Sequence, residues 1–332
     1  MVEVHRRTGD ARHACGGASP LNWIHWCSLM VQRLSVFDAK DHLDPSHPAD
    51  ASPNRPSDKD LQRADGCCTI TLCGSDHGTQ IEDVFERSPM RVMFPRNGHC
   101  LIEEAVLINT AGGIAGGDRL ECSVVALPDA SIAVTSQAAE KVYRALSEPA
   151  HITTRLKAHE SSRLAWLPQE TIIFNWSRLQ RTTEIELLSG SELLALESLV
   201  LGRAAHGEIV VGGSISDTWH VKKDGRLIWA DCFRVDNETF PHLRRKALLS
   251  NCNAIATIVY FGPDPDRKLE FVREVISSLG YECAVTLVAG LIVARFAAEQ
   301  SFVLKLAVSG FLEQIGPELG SGPFRIPKMW LC

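Results

Sequence analysis

Ala126-Leu-Pro-Asp-Ala-Ser-Ile-Ala-Val134 lines up with Ala158-His-Glu-Ser-Ser-Arg-Leu-Ala-Trp166 and with Leu188-Ser-Gly-Ser-Glu-Leu-Leu-Ala-Leu196. Val221 to Trp229 fits the same frame more loosely. Each unit is apolar, then a polar turn, then an apolar strand. The starts fall about 30 residues apart, a spacing at which self-similarity signals stacked repeats. One such unit cannot bury its own apolar face, so each layer must cover its neighbour. The competing reading is a meander of hairpins whose turns merely look alike.

The flanking sequence agrees with strands. Ile152, Thr154, Leu156 and Ala158 alternate with Thr153, Arg155 and Lys157, the period-two pattern of a half-buried strand. Thr182 to Leu188 repeats it. Val221 to Trp229 also reads as a hairpin with Asp224-Gly225 as a primed turn, and Ala284 to Phe296 as one around Ala289-Gly290. Helices come late. Asp264 to Gly280 carries an N-cap acid, a first-turn proline, a closing glycine and a stripe of Leu269, Val272, Val275, Ile276 and Leu279. A second runs from Ser301 to Leu312 or slightly beyond, with Phe302, Leu306, Phe311 and Leu312 as its apolar residues. The fold class expected is mainly β: a β-helix-like stack of many short strands with two C-terminal α-helices.

Upstream of the repeats lies Asn109-Thr-Ala-Gly-Gly-Ile-Ala-Gly-Gly-Asp118-Arg119-Leu120. Gly112, Gly113, Gly116 and Gly117 mark a tight structural loop between two strands. A phosphate loop would end Gly-Lys-Ser/Thr and open a helix, and a dinucleotide fingerprint needs Gly-x-Gly-x-x-Gly; neither is here. Asp118 and Arg119 stand at the exit, placed to satisfy each other or the backbone.

Composition narrows the function classes. The net charge of −6 over 332 residues argues against nucleic acid, which calls for a basic stripe. Eleven cysteines, an odd number without Cys-x-x-Cys, point to a reducing compartment and no disulfide framework. The Cys67-Cys68…Cys73 group reads as incidental thiols, because no histidine stands at a structural-zinc spacing. Leu21 to Phe37 is apolar but too short and polar to span a bilayer, and no small-residue cleavage site follows. Asp41 to Asp65 is rich in Asp, Pro, Ser and His, a composition that cannot support a core. Residues 1–68 are therefore expected to be a disordered or non-native extension, with one domain over 69–332.

The glycine loop, Thr135 to Arg144 with its Ala-Glu-Lys-Val-Tyr-Arg run, Trp166-Leu-Pro-Gln-Glu-Thr-Ile-Ile-Phe174 and Leu201-Gly-Arg-Ala-Ala-His-Gly-Glu208 are four ordered segments that together resemble the urease accessory protein UreD (UreH) family. The tail Ile326-Pro-Lys-Met-Trp-Leu is similar to that family's Pro-Arg-Ile-Trp ending. The resemblance implies a β-helix-like fold and a cytoplasmic, non-enzymatic maturation factor. It implies a complex with UreF and the GTPase UreG that docks on apourease, with nickel as a transient cargo and no tightly bound cofactor. It implies a water-filled passage, for which Asp118, Glu140, Glu197, Arg203 and Asp231 fall at positions of interest.

The residues themselves allow more than one reading. Glu140, Glu170, Glu197 and Asp231 lie beside or beyond the repeat units, where carboxylates are costly unless paired or hydrated. They are either salt-bridged strand ends or a hydrated acidic passage whose oxygen ligands suit weak, transient handling of a divalent cation. His206 is a loop histidine unless partners converge on it. Glu170 and Glu197, on neighbouring layers, also allow a β-helix carbohydrate hydrolase with paired carboxylates, although stacking aromatics are few. A structural scaffold without a metal role is the remaining alternative.

Overall fold

The computed structural model describes residues 62–95, 104–319 and 326–331. They form a stack of parallel strands in two facing sheets. The repeat register explains why. Three turns, Leu127–Ala130, His159–Ser162 and Leu188–Ser191, are each closed by the same N–H to carbonyl bond from last residue to first. In each, the third residue has positive φ: Asp129, Ser161 and Gly190. Asp and Gly tolerate that conformation well, and the polar turn of each unit supplies it.

The first sheet has the order β14-β13-β11-β8-β5-β1-β2. Its parallel strands are β1 (Asp65–Ser75), β5 (Arg119–Ala126), β8 (Ala150–Ala158), β11 (Arg178–Leu187) and β13 (Ser214–Lys223). The antiparallel strands β2 (Gly78–Arg87) and β14 (Arg226–Val235) close its two ends. In the second sheet, β4 (Glu104–Asn109), β6 (Ser131–Ser136), β9 (Arg163–Leu167) and β12 (Glu192–Leu201) are parallel. It ends in β3 (Met90–Met93) on one side and, on the other, in β15 (Ala254–Phe261), β17 (Leu291–Ala298) and β16 (Cys283–Val288), all antiparallel. A short third ladder joins β7 (Glu140–Val142), β10 (Thr171–Ile173) and the end of β12. A parallel bridge from Ile114 to Val142 extends it.

The stacking reading therefore holds. Ala126 faces Ala158 and Val134 faces Trp166, as the alignment has it. The third unit is displaced by one: Ala158 faces Leu187, and Trp166 faces Ala195. The loose fourth unit is no layer. It is the β13–β14 hairpin, whose Asp224 and Gly225 both have positive φ. The Ala289-Gly290 hairpin also forms, as β16–β17.

Helix α1 (Pro265–Leu279) has the expected bounds and buries Leu269, Val272 and Val275, but its Asp264 makes no side-chain cap. Helix α2 (Ser301–Leu319) runs seven residues beyond Leu312. It buries Leu304, Ala307, Val308, Phe311, Leu312 and Ile315, whereas Phe302 and Leu306 are exposed. The apolar residues of this helix form two faces, and packing selects only one. Both helices lie on the outer face of the second sheet, so β12 is buried on both sides. Each large aliphatic side chain sealed there contributes about 1.5–3 kcal/mol.

β1 starts at Asp65 and buries Cys68 completely, so the fold takes in the last four residues of the 1–68 segment. Residues 1–61 lie outside the described residues. Among the described residues, no helix is long and apolar enough to cross a membrane.

Candidate functional site: a charged seam between the sheets

Strand alternation determines what the sheets hold between them. On β11 the inward series is Leu179, Arg181, Thr183, Ile185 and Leu187; on β13 it is Ile215, Asp217, Trp219 and Val221. An arginine and an aspartate thus occupy positions in an otherwise mostly apolar inner face. Opposite them, β12 turns Glu197 inward, and all three are nearly inaccessible, at 3%, 6% and 6% exposure for Arg181, Asp217 and Glu197.

These charges satisfy one another closely. Arg181 Nε and Nη2 donate to the two Asp217 oxygens at 2.8 and 2.7 Å. Its Nη1 lies 2.7 Å from Glu197 Oε2 and donates to Thr171 Oγ1 at 3.1 Å. Trp166 Nε1 donates to the other Glu197 oxygen at 2.9 Å. The guanidinium thus bridges strands of both sheets, using the planar fork that suits arginine to such sites.

A cavity of about 80 Å³ lies against this cluster. Its wall includes Glu140, Asn109, Gln169, Thr171, Arg181 and Glu197. The volume accommodates several waters, although Met90, Leu107, Ile114, Leu120 and Ile152 make much of its wall apolar. Farther along the stack, Asp231 on β14 accepts from Arg295 Nη2 on β17 at 2.6 Å. Glu197, Thr257 and Arg295 share one register row of the second sheet. Two groups of charge therefore line the seam between the sheets: Glu140, Arg181, Glu197 and Asp217 at and beside the cavity, and Asp231 with Arg295 farther along.

The structure brings together Glu140 and Glu197, which share the cavity, and sets Asp231 at the far end of the same seam. The other sequence candidates lie elsewhere. Asp118 ties the glycine loop, accepting from Ala64 N at 2.8 Å and Ala115 N at 2.7 Å. Both of its carboxylate oxygens are thus engaged by backbone N–H groups. Arg203 is on an outer corner, paired with Glu208 at 2.8 Å. His206 is exposed in a short 3₁₀ turn. Glu170 faces away from the seam, grouped with Ser198, Lys305 and Trp330 under α2. Glu170 and Glu197 therefore lie on opposite faces of one sheet and cannot flank a single glycosidic bond, which removes the geometry of the paired-carboxylate hydrolase.

Arg181 and Asp217 escaped the sequence reading. Their signal was present: each breaks an alternating apolar series at an inward position. The alternating stretch from Thr182 to Leu188 starts one residue past Arg181, so that charge falls outside it. Among the described residues, no three His, Cys, Asp or Glu side chains form a group able to hold a metal tightly. The Cys67–Cys73 thiols belong to no such group.

Burial raises the pKa of Glu197, against the lowering effect of Arg181, and the like charge of Asp217 adds to the rise. Burial works against the charge of Arg181, but Asp217 and Glu197 outweigh it and hold it protonated. Burial also raises Glu140, although its bond from Asn109 Nδ2 (3.0 Å) opposes this, and it raises Glu104. A carboxyl raised in the folded state binds more protons there than in the unfolded chain, so its stability contribution is full at acid pH and falls as pH rises through the folded pKa. Glu208 and Asp236 are lowered, by Arg203 and by bonds from Thr239 that overcome burial, so their contributions vanish only below the usual carboxylate range. The melting temperature is expected to differ across the range above the ordinary carboxylate pKa, falling as pH rises through these raised values. Glu140→Gln should reduce that difference; an unchanged difference would remove Glu140 from the account.

Comparison with known proteins places the chain. The family described as UreD urease accessory protein matches residues 64–331. A urease accessory protein UreD of Xanthobacter autotrophicus is 38% identical over 268 residues, 80% of this chain and 92% of that protein. One from a Methylobacterium species is 35% identical over 292 residues, 86% of this chain and 99% of that protein. A third, from Magnetococcus marinus, is 32% identical over 274 residues, covering 81% and 94%. A parallel stack with a charged seam, matched over nearly its whole described length, belongs to the UreD family of urease accessory proteins.

Proposed function

We propose that this chain acts in urease maturation by passing nickel, as cargo, along the seam between its sheets, within a cytoplasmic complex with UreF and the GTPase UreG docked on apourease. The observation that carries this reading is the cavity of about 80 Å³ bordered by Glu140 and Glu197, with room for water beside the buried charges. Carboxylate and carbonyl oxygens hold a divalent cation weakly, and a relay must release what it binds. The role is that of an accessory protein, without catalysis of its own.

The test is Glu197→Gln, which keeps the shape and the acceptor for Trp166 while removing the charge. Arg181 retains its two bonds to Asp217. In cells producing the urease and its accessory proteins, the variant should co-purify with UreF, UreG and apourease as wild type does. Nickel per urease active site and urease activity should fall together, several-fold. Glu197→Asp, which keeps charge but shortens reach, should be milder. Full nickel loading with an intact complex would make the seam a structural ion network and leave a scaffold role.

A further inference from the structure

Two stretches that stand far apart in the sequence, Trp166 to Phe174 and the tail Ile326 to Leu331, meet in the fold. Pro168 ends β9, because proline has no N–H to continue the ladder. The backbone on either side of it must therefore find other partners. Leu167 O accepts from Thr135 Oγ1 on β6 at 2.7 Å and from Trp330 Nε1 of the tail at 3.0 Å. Gln169 N donates to Ser136 Oγ at 2.8 Å. Glu170 O accepts from Glu140 N at 3.0 Å, so this short loop also holds the backbone of a cavity acid.

The Gln169 side chain is buried, yet it reaches two other elements. Its Oε1 accepts from Lys305 Nζ on α2 at 3.3 Å, and its Nε2 donates to Met329 O of the tail at 2.8 Å. Both anchors are themselves fixed, since Trp330 is buried in the same core cluster as Leu304 and Val308 of α2. A primary amide has two N–H groups and two lone pairs on its oxygen, so one of each remains after these bonds. Pro168 and Gln169 line the cavity together with Glu140 and Glu197. Glu170, Lys305 and Trp330 are grouped on the other side, under α2. The loop is thus a wall with the cavity on one side and the helix and tail on the other.

We propose, resting on the passage proposed above, that Gln169 is a positioning residue for it: the tail and α2 hold its amide from outside, and through it the wall that carries Glu140. Removing the outer bonds leaves buried polar groups without partners, so the loop must shift to satisfy them. Glu170 O moves with the loop, and the Glu140 backbone is bonded to it. A cavity of about 80 Å³ holds few waters, so a small displacement of one wall changes which positions they fill. The fixed amide therefore keeps the acids of the cavity at a constant spacing while cargo enters and leaves.

The test uses the full chain in cells that produce the urease and its accessory proteins. Gln169→Leu keeps the bulk and removes both outer bonds, whereas Lys305→Met removes one of them from outside the cavity. Each should lower nickel per urease active site several-fold, Lys305→Met less than Gln169→Leu. Co-purification with UreF, UreG and apourease should stay at the wild-type level. The double variant should load no less nickel than Gln169→Leu alone, because both changes act through one amide. A merely structural amide would instead lower melting temperature and complex yield together, and leave nickel per active site unchanged in the complex that assembles. That result, or additive losses in the double variant, would overturn the assignment. Glu197→Gln, measured in parallel, separates the two readings. If it lowers nickel loading and Gln169→Leu does not, the positioning role falls alone; if neither does, the passage falls with it.

Discussion

Arg181→Met is expected to destabilise the protein by about 3–5 kcal/mol, because it leaves Glu197 and Asp217 buried with no counter-charge between them. That corresponds to a fall of roughly 10 °C in melting temperature for a chain of this size. Methionine fills much of the space, so cavity formation is a minor part of the loss. The diagnostic is the triple variant Arg181→Met, Glu197→Gln, Asp217→Asn, which removes all three charges. Buried ion networks often cost little when removed whole and much when broken. The triple variant should therefore be more stable than Arg181→Met alone. A single variant that melts like wild type, or a triple that melts lower still, would show that the guanidinium does not hold the two sheets in register.

Gly116→Val should be comparably severe, about 3 kcal/mol, and for a reason the sequence conceals. Glycine there reads as a need for positive φ, which is true of Gly112, Gly113 and Gly117 but not of Gly116. A Cβ at Gly116 would lie 2.6 Å from the Glu148 carbonyl oxygen and 2.6 Å from Ala145 Cβ, both on the next loop of the stack. The obstacle is a neighbouring backbone and cannot rotate away. Gly112 makes the contrast. It has φ +74 and open space around it, so Gly112→Ala should cost only the left-handed penalty, about 1–2 kcal/mol. Chemical denaturation of the two variants measures the difference directly. Equal losses would mean that conformation, and not packing of the loops, sets the requirement.

The stack itself was legible because its turns are chemically alike. Asp129, Ser161 and Gly190 close the same bend, and that likeness fixes Ala126 against Ala158. The one-residue slip in the third unit was not legible, because β12 carries apolar residues on both faces and gives no phase to read. The same ambiguity hid the faces of α2, where Phe302 and Leu306 are as apolar as the residues that pack. Of the site, the carboxylates Glu140 and Glu197 could be picked out by position beside the repeats. The Arg181 guanidinium that joins Glu197 to Asp217 could not, since it links strands whose residues lie from 16 to 36 apart in the chain.

The antiparallel strands at the ends of the first sheet have a consequence for solubility. A stack of parallel layers offers the same hydrogen-bonding edge at every level, so an uncapped one can add another copy of itself without limit. Here β2 and β14 reverse direction and present no parallel template. Each also slips register against its neighbour, between Thr71 and Leu72 at one end and between Val221 and Lys222 at the other. Such bulges twist an edge out of line with an incoming strand. The reversal and the bulge act together at both ends, so the repeats stop at a finite particle and do not grow into a fibre.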